Sequence, residues 1–168
     1  MEIDKLSFST HGSEILITFR EVELKPLLES RTEEMGGSSV HEVFLSRRVI
    51  AGHGDGVDME ALYPISAVMF DTLRKQPEDI LYFYCDVKGD NLKVNARNKQ
   101  ITPQAYRSHL FSLLFDRETR RRGETAFVNE VLPVDCDGEV LYLHFIYDRR
   151  ISERVDLLKN ALEDMKAK

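Results

Sequence analysis

Four residues in the middle of the chain could do chemistry together. Asp86 closes the apolar run Ile80-Leu81-Tyr82-Phe83-Tyr84-Cys85-Asp86-Val87, and Asp90 sits in the Lys88-Gly89-Asp90 turn behind it. Arg107 and His109 follow two residues apart on a predicted helix. Two carboxylates near a strand end can hold a cation or move a proton. A histidine beside an arginine supplies a proton carrier and a phosphate stabiliser, the parts of a metal-free ribonuclease site. The same residues also have a structural reading. A strand-ending Asp and a turn Asp satisfy backbone N–H groups, and Arg107 can hold its helix to the strand through a charge-assisted bond to Asp86.

The helix ends in Arg120, Arg121 and Arg122. Three cations there suit the negative end of the helix dipole. They could equally grip phosphates or an acidic protein surface. Tyr82 and Tyr84 point one way from their strand and Phe83 the other. They are predicted to be core, or a base-stacking platform if one face of the strand is open. His53 lies in the glycine-rich stretch 52–58 with Asp55 and Asp58, but the spacing fits no zinc, EF-hand or phosphate-loop pattern. There is no Gly-x-Ser-x-Gly elbow. Neither Cys85 nor Cys136 belongs to a Cys-x-x-Cys pair, so no metal and no cofactor is implied.

Charge is unevenly spread. The net charge of −6 argues against nonspecific coating of nucleic acid. Residues 1–60 hold six Lys/Arg against twelve Asp/Glu, whereas residues 88–122 hold nine against three. The segments therefore sum to −6 and +6, a pattern that could pair two copies of the chain. Two thiols in 168 residues suggest a reducing compartment rather than a disulfide framework. No apolar run approaches membrane-spanning length, so the expectation is a cytoplasmic protein of one domain, 1–168, with no membrane partner.

The elements that would position these residues follow from periodicity. Residues 6–10 and 15–22 read as a hairpin and Val40 to Ile50 as a third strand. Residues 23–37 read as a long loop with a helical turn at Leu27 to Glu34. Pro64 is expected at the first position of a helix running to Gln76. The run Ile80–Val87 then reads as a central strand buried on both faces. Thr102-Pro103 opens the next helix, and Gly123 closes it. Asp135-Cys136-Asp137-Gly138 joins two strands, Phe127–Val134 and Glu139–Tyr147. Ser152 is expected to cap a last helix with a stripe of Ile151, Val155, Leu158, Leu162 and Met165. The order β-β-β-α-β-α-β-β-α gives an α+β fold, a mixed but mostly antiparallel sheet with about three helices packed on it.

Residues 57–116 resemble a group of small uncharacterised bacterial proteins. The likeness rests on the helix Ile65–Leu73, the strand ending Cys85-Asp86, Asp90 after a short turn, and Arg107-x-x-Leu110-Phe111-x-x-Leu114-Phe115. That group has Trp where Leu114 stands. The resemblance implies a bacterial origin and singles out Asp86, Asp90 and Arg107, but it carries no activity.

Together these observations predict a non-enzymatic protein-binding or regulatory module that self-associates or binds a protein partner. The alternative is a small RNA-binding or RNA-cleaving protein of toxin or defence type, using the basic 88–122 segment with Asp86 and His109. An enzyme acting on a small metabolite is a third class, because pockets are assembled from distant residues.

Overall fold

The computed structural model describes residues 2–10, 13–49, 59–85 and 101–166; Asp86, Asp90 and the 52–58 stretch lie outside them. The strands are β1 (Glu2–Thr10), β2 (Ser13–Glu21), β3 (Val40–Val49), β4 (Ile80–Cys85), β5 (Phe127–Cys136) and β6 (Glu139–Asp148). They form one sheet in the order β1-β2-β3-β4-β6-β5. Only β3 and β4 run parallel. The helices are α1 (Lys25–Leu28), α2 (Met59–Lys75), α3 (Pro103–Arg122) and α4 (Ser152–Lys166). The α+β class, its mixed and mostly antiparallel sheet and the predicted order all hold, with the short α1 and a following 3-10 stretch, Glu29–Met35, added in the 23–37 segment.

Each boundary has a local cause. The Thr102 hydroxyl accepts a bond from the Ala105 N–H (3.3 Å), Pro103 follows it, and Gly123 ends α3 at φ +62. These are the N-cap and C′ devices the sequence advertises. The β5–β6 hairpin turns on Asp137 and Gly138, both at positive φ, as a type I′ turn requires.

Two expectations are corrected. Helix α2 begins five residues before Pro64. The ring deprives one early carbonyl, that of Glu60, of its partner, while Leu62 and Ile65 beside it are 4% and 3% exposed. Burial outweighs one lost bond near a helix end. The cap before the last helix is Asp148, not Ser152: its carboxylate accepts from the Arg150 N–H (2.9 Å) and pairs with the Arg150 guanidinium.

Alternation along the strands gives the sheet two apolar faces. One face carries Ile17, Phe19, Val43, Leu81, Phe83 and Ile146 and is covered by α2 and α3. Phe70 of α2 is fully buried there, 5.0 Å from the Phe115 ring and 5.4 Å from Phe127. The other face carries Val40, Ile80, Phe145 and Tyr147 beneath α4 and α1. Arg154 ties α4 to the β3 entry, donating to Ser38 Oγ (2.6 Å) and to Glu78 (2.5 Å). Gly36 stands at φ +58, and a Cβ there would come 2.8 Å from the Arg154 guanidinium. No helix among the described residues is long and apolar enough to cross a membrane.

Candidate functional site

The arginines at the end of α3 are largely consumed within the molecule. Glu118, one turn earlier and only 1% exposed, accepts two bonds from Arg121 (3.0 and 2.6 Å) and one from Arg122 (2.5 Å). Hydrogen bonds from Arg121 and Arg122 hold the Glu118 carboxyl below the usual carboxylate range, against the opposing effect of burial. Arg122 also reaches Asp71 (2.8 Å) and the Ala67 carbonyl of α2, with its guanidinium 5.3 Å from the Phe70 ring. Arg117 stacks 3.5 Å over Tyr63 of α2. Arg117 and Arg122 thus hold α3 against α2, while Arg121 folds back on Glu118 of its own helix. Of the three arginines, Arg120 alone is exposed with no ion-pair partner among the described residues. His109 is exposed on α3, and Arg107 is half-buried on the same helix.

A second cluster has the connectivity of a nucleophile triad. Ser108 Oγ lies 2.8 Å from His144 Nε2, and His144 Nδ1 lies 2.9 Å from Asn129 Oδ1. Asn129 Nδ2 in turn donates to Ser112 Oγ (3.2 Å). With a carbonyl oxygen facing Nδ1, that nitrogen carries the hydrogen, and Nε2 accepts from the serine hydroxyl. The chemistry stops there. His144 is 0% exposed and Ser108 6%. The imidazole stacks on Phe83 (4.5 Å between centroids, 9° apart) and meets the edge of Phe111. An acyl group needs open space beside the serine, and Ser108 and His144 are both buried. Burial also drives the His144 pKa down to about 4, so the ring stays neutral. The cluster is a satisfied buried polar network that fixes α3 in register over β5 and β6.

Another histidine–acid pair sits at the start of β3. His41 Nε2 is 2.9 Å from Asp79, whose other oxygen accepts the Ser39 N–H (3.3 Å). It closes the end of the sheet between β3 and the turn before β4. No group of three or more His, Cys, Asp or Glu able to hold a metal ion occurs among the described residues.

A groove among the described residues lies on the α4 face. This apolar groove of about 360 Å³ is floored by Tyr82, Tyr84, Leu141, Leu143 and Phe145. Leu158 and Leu162 of α4, with Leu24 and Leu27 around α1, make its walls. Tyr84 is 44% exposed, whereas Phe83, on the opposite side of the same strand, is 7% exposed. The expectation that β4 is buried on both faces thus holds for Ile80 and Leu81 and fails at Tyr84. The Tyr82 hydroxyl bonds Glu42, and burial together with that carboxylate raises its pKa. Glu42 is also paired with Arg20 (2.7 Å), which covers the Phe44 ring at 4.5 Å.

Sequence reasoning named Tyr82 and Tyr84 but missed the rest of the groove and the His144 network. The signals were present. Leu141, Leu143 and Phe145 alternate in a strand whose other positions are also apolar, and His144 is a polar residue in an otherwise apolar run, which demands a partner. No family model matches the chain, and neither a curated protein nor a solved structure matches it.

Proposed function

We propose that this chain is a non-enzymatic protein-binding module, and that the groove on the α4 face is its binding surface. The observation that carries this reading is the apolar groove beside α4 in which Tyr84 of β4 stays 44% exposed. Exposed apolar grooves of this kind are where proteins take segments of other proteins. The bacterial, cytoplasmic setting belongs to the same proposal and rests on the resemblance of residues 57–116 and on the two-thiol composition.

The RNA reading gains no support from the geometry. Its stacking residues, Tyr82 and Tyr84, face α4, while its cationic helix α3 packs on the opposite side of the sheet. One strand of RNA would have to pass around the sheet to touch both. Two of the three arginines are already paired.

The test is a photo-crosslinking amino acid placed at position 84 of the full chain in the cells that make it, with position 120 as the comparison. A discrete adduct from position 84 and none of the same mass from position 120 is the expected result. No adduct at 84, or identical adducts at both positions, overturns the proposal.

A further inference from the structure

We infer that β5 is the edge by which two copies of this chain join, pairing antiparallel about a twofold axis at Asn129 so that their sheets run on as one. This surface is separate from the groove, since none of residues 127–131 lines it. What carries the inference is which backbone groups of β5 face outward.

Strand β5 ends the sheet and its ladder runs to β6; among the described residues none pairs with its other side. Along an antiparallel pair, successive residues point their backbone groups in turn toward the neighbouring strand and away from it. The two-residue turn Asp137-Gly138 makes Cys136 and Glu139 the first bonded pair. Counting back by twos, Val134, Leu132, Glu130 and Val128 face β6. The far side of the sheet gives the same alternation. Ile80 donates to the Ser39 carbonyl just before β3 (2.9 Å), so Leu81 faces Ile146 of β6, and Tyr147 faces Val128. The Arg149 N–H, donating to the Ala126 carbonyl (2.8 Å), continues the series. The outward groups therefore belong to Phe127, Asn129, Val131, Pro133 and Asp135, and Pro133 has no N–H to offer.

A proline at an outward position blunts an edge against pairing, but Pro133 blunts only the hairpin half. Over residues 127–131 donors and acceptors alternate without a break, and the register with β6 is regular. The charged side chain in that stretch, Glu130, is held by the Tyr147 hydroxyl (2.8 Å) and by Lys159 of α4. Val131 is 38% exposed. The opposite edge, β1, shifts its register between Glu2 and Asp4, an irregularity that resists pairing.

This half-edge is complementary to itself. About a twofold axis Asn129 pairs with Asn129 of the second copy and Phe127 with Val131, each pair exchanging both bonds. Val128 then stands across from Glu130, so like charges are not opposed, and Pro133 falls beyond the paired stretch. A register moved toward the hairpin sets the Pro133 ring against a carbonyl. Joining β5 to β5 consumes both edges and stops at two chains. Joining β5 to β1 of a further copy would run on without end, and the register shift of β1 opposes it. The contact is short, so the pair belongs to the weak, concentration-dependent class.

Light scattering on the full chain over a concentration series, with residue-resolved amide exchange, is the test. The mass should rise from one chain toward two. At the highest concentration the Asn129 and Val131 amides should exchange about tenfold more slowly than in dilute protein, while Asp135 is unchanged. Val131→Pro removes an outward donor and no bond to β6, and should abolish the pair. Val131→Lys keeps the backbone donor but puts a charge where Phe127 of the second copy packs, and should weaken the pair about tenfold. Pro133→Val supplies the missing donor and should tighten it. A one-chain mass for the natural chain at every concentration overturns the inference. So does a two-chain mass that survives both changes at position 131. A two-chain mass dispersed by Tyr84→Asp and not by Val131→Lys puts the second copy on the groove and likewise overturns the edge.

Discussion

The two faces of the sheet solve the same problem to different degrees. Both are apolar, because the central strands alternate apolar residues on each side. On the α2/α3 face the aromatic cluster of Phe70, Phe83, Phe111, Phe115 and Phe127 is closed, and the buried Ser108 and His144 beside it are hydrogen-bonded. On the α4 face one long helix covers one end of the sheet, and the tyrosine end of β4 opens into the groove. The contrast separates stability from recognition. The closed face supplies packing energy; the open one retains apolar surface whose burial can still drive association. The position of the charges follows the same division. Of the arginines that look like a recognition patch in the sequence, Arg122 binds α3 to α2, Arg121 folds back on Glu118, and Arg120 stays exposed.

Three measurements can break or sharpen that contrast. The largest effect should come from Phe70→Ala. Its ring is fully buried between Phe115 and Phe127, so the cavity should cost about 3–5 kcal/mol of unfolding free energy in a denaturant titration. A loss no greater than that of Tyr84→Ala would mean the two faces are equally closed.

The second effect is a pH dependence from the closed face. His144 has its pKa lowered to about 4 by burial, against about 6.5 for the free side chain. Between these values the unfolded chain binds a proton that the folded chain refuses. Stability from this group is therefore complete above about pH 6.5 and is lost as pH falls toward 4, by about 3 kcal/mol in total. Urea midpoints measured across that window should fall steeply for the natural chain. His144→Gln, less stable at pH 7, should show a shallower slope. Equal slopes would show that the ring is not the titrating group. Glu118 and Asp148, whose carboxyl pKa values are lowered by their arginine partners, lose their contributions only at still lower pH.

The smallest effect is expected on the open face. Tyr84→Asp places a charge where the side chain is already 44% exposed, and should change the unfolding free energy by about 0.5 kcal/mol or less while removing the groove's apolar floor. A fall of several kcal/mol would show that Tyr84 is packed in solution and that the groove is closed.

The fold was readable where local rules act alone. Thr102-Pro103 and Gly123 bracket α3 because a hydroxyl cap, a preset φ and a left-handed terminus each act over a few residues. Asp137-Gly138 fixes its hairpin for the same reason. Pro64 misled because a local penalty near a helix start yields to the burial of Leu62 and Ile65, and burial is not a local quantity. The capping role fell to Asp148 instead of Ser152 because a 3-10 turn, Arg149–Ile151, precedes α4. The candidate site was less readable still. The sequence places three arginines in one turn and Glu118 within reach of two of them, but that Arg122 is also held by Asp71 and Ala67 depends on a helix fifty residues earlier. It shows Ser108, Asn129 and His144 as unrelated residues that only β5–β6 pairing and the seat of α3 bring within 3 Å. It also makes both faces of β4 apolar without saying how many helices will cover each.

By itself, then, the sequence determined which residues form strands and helices, their order, and the two-sided apolar character of the central sheet, because periodicity, caps and turns operate over a few residues. Only the tertiary structure decided which cations are spent inside the molecule, which polar residues meet, and that the tyrosine side of β4 stays open. Those outcomes depend on contacts between segments far apart in the chain, where packing and charge pairing are settled together.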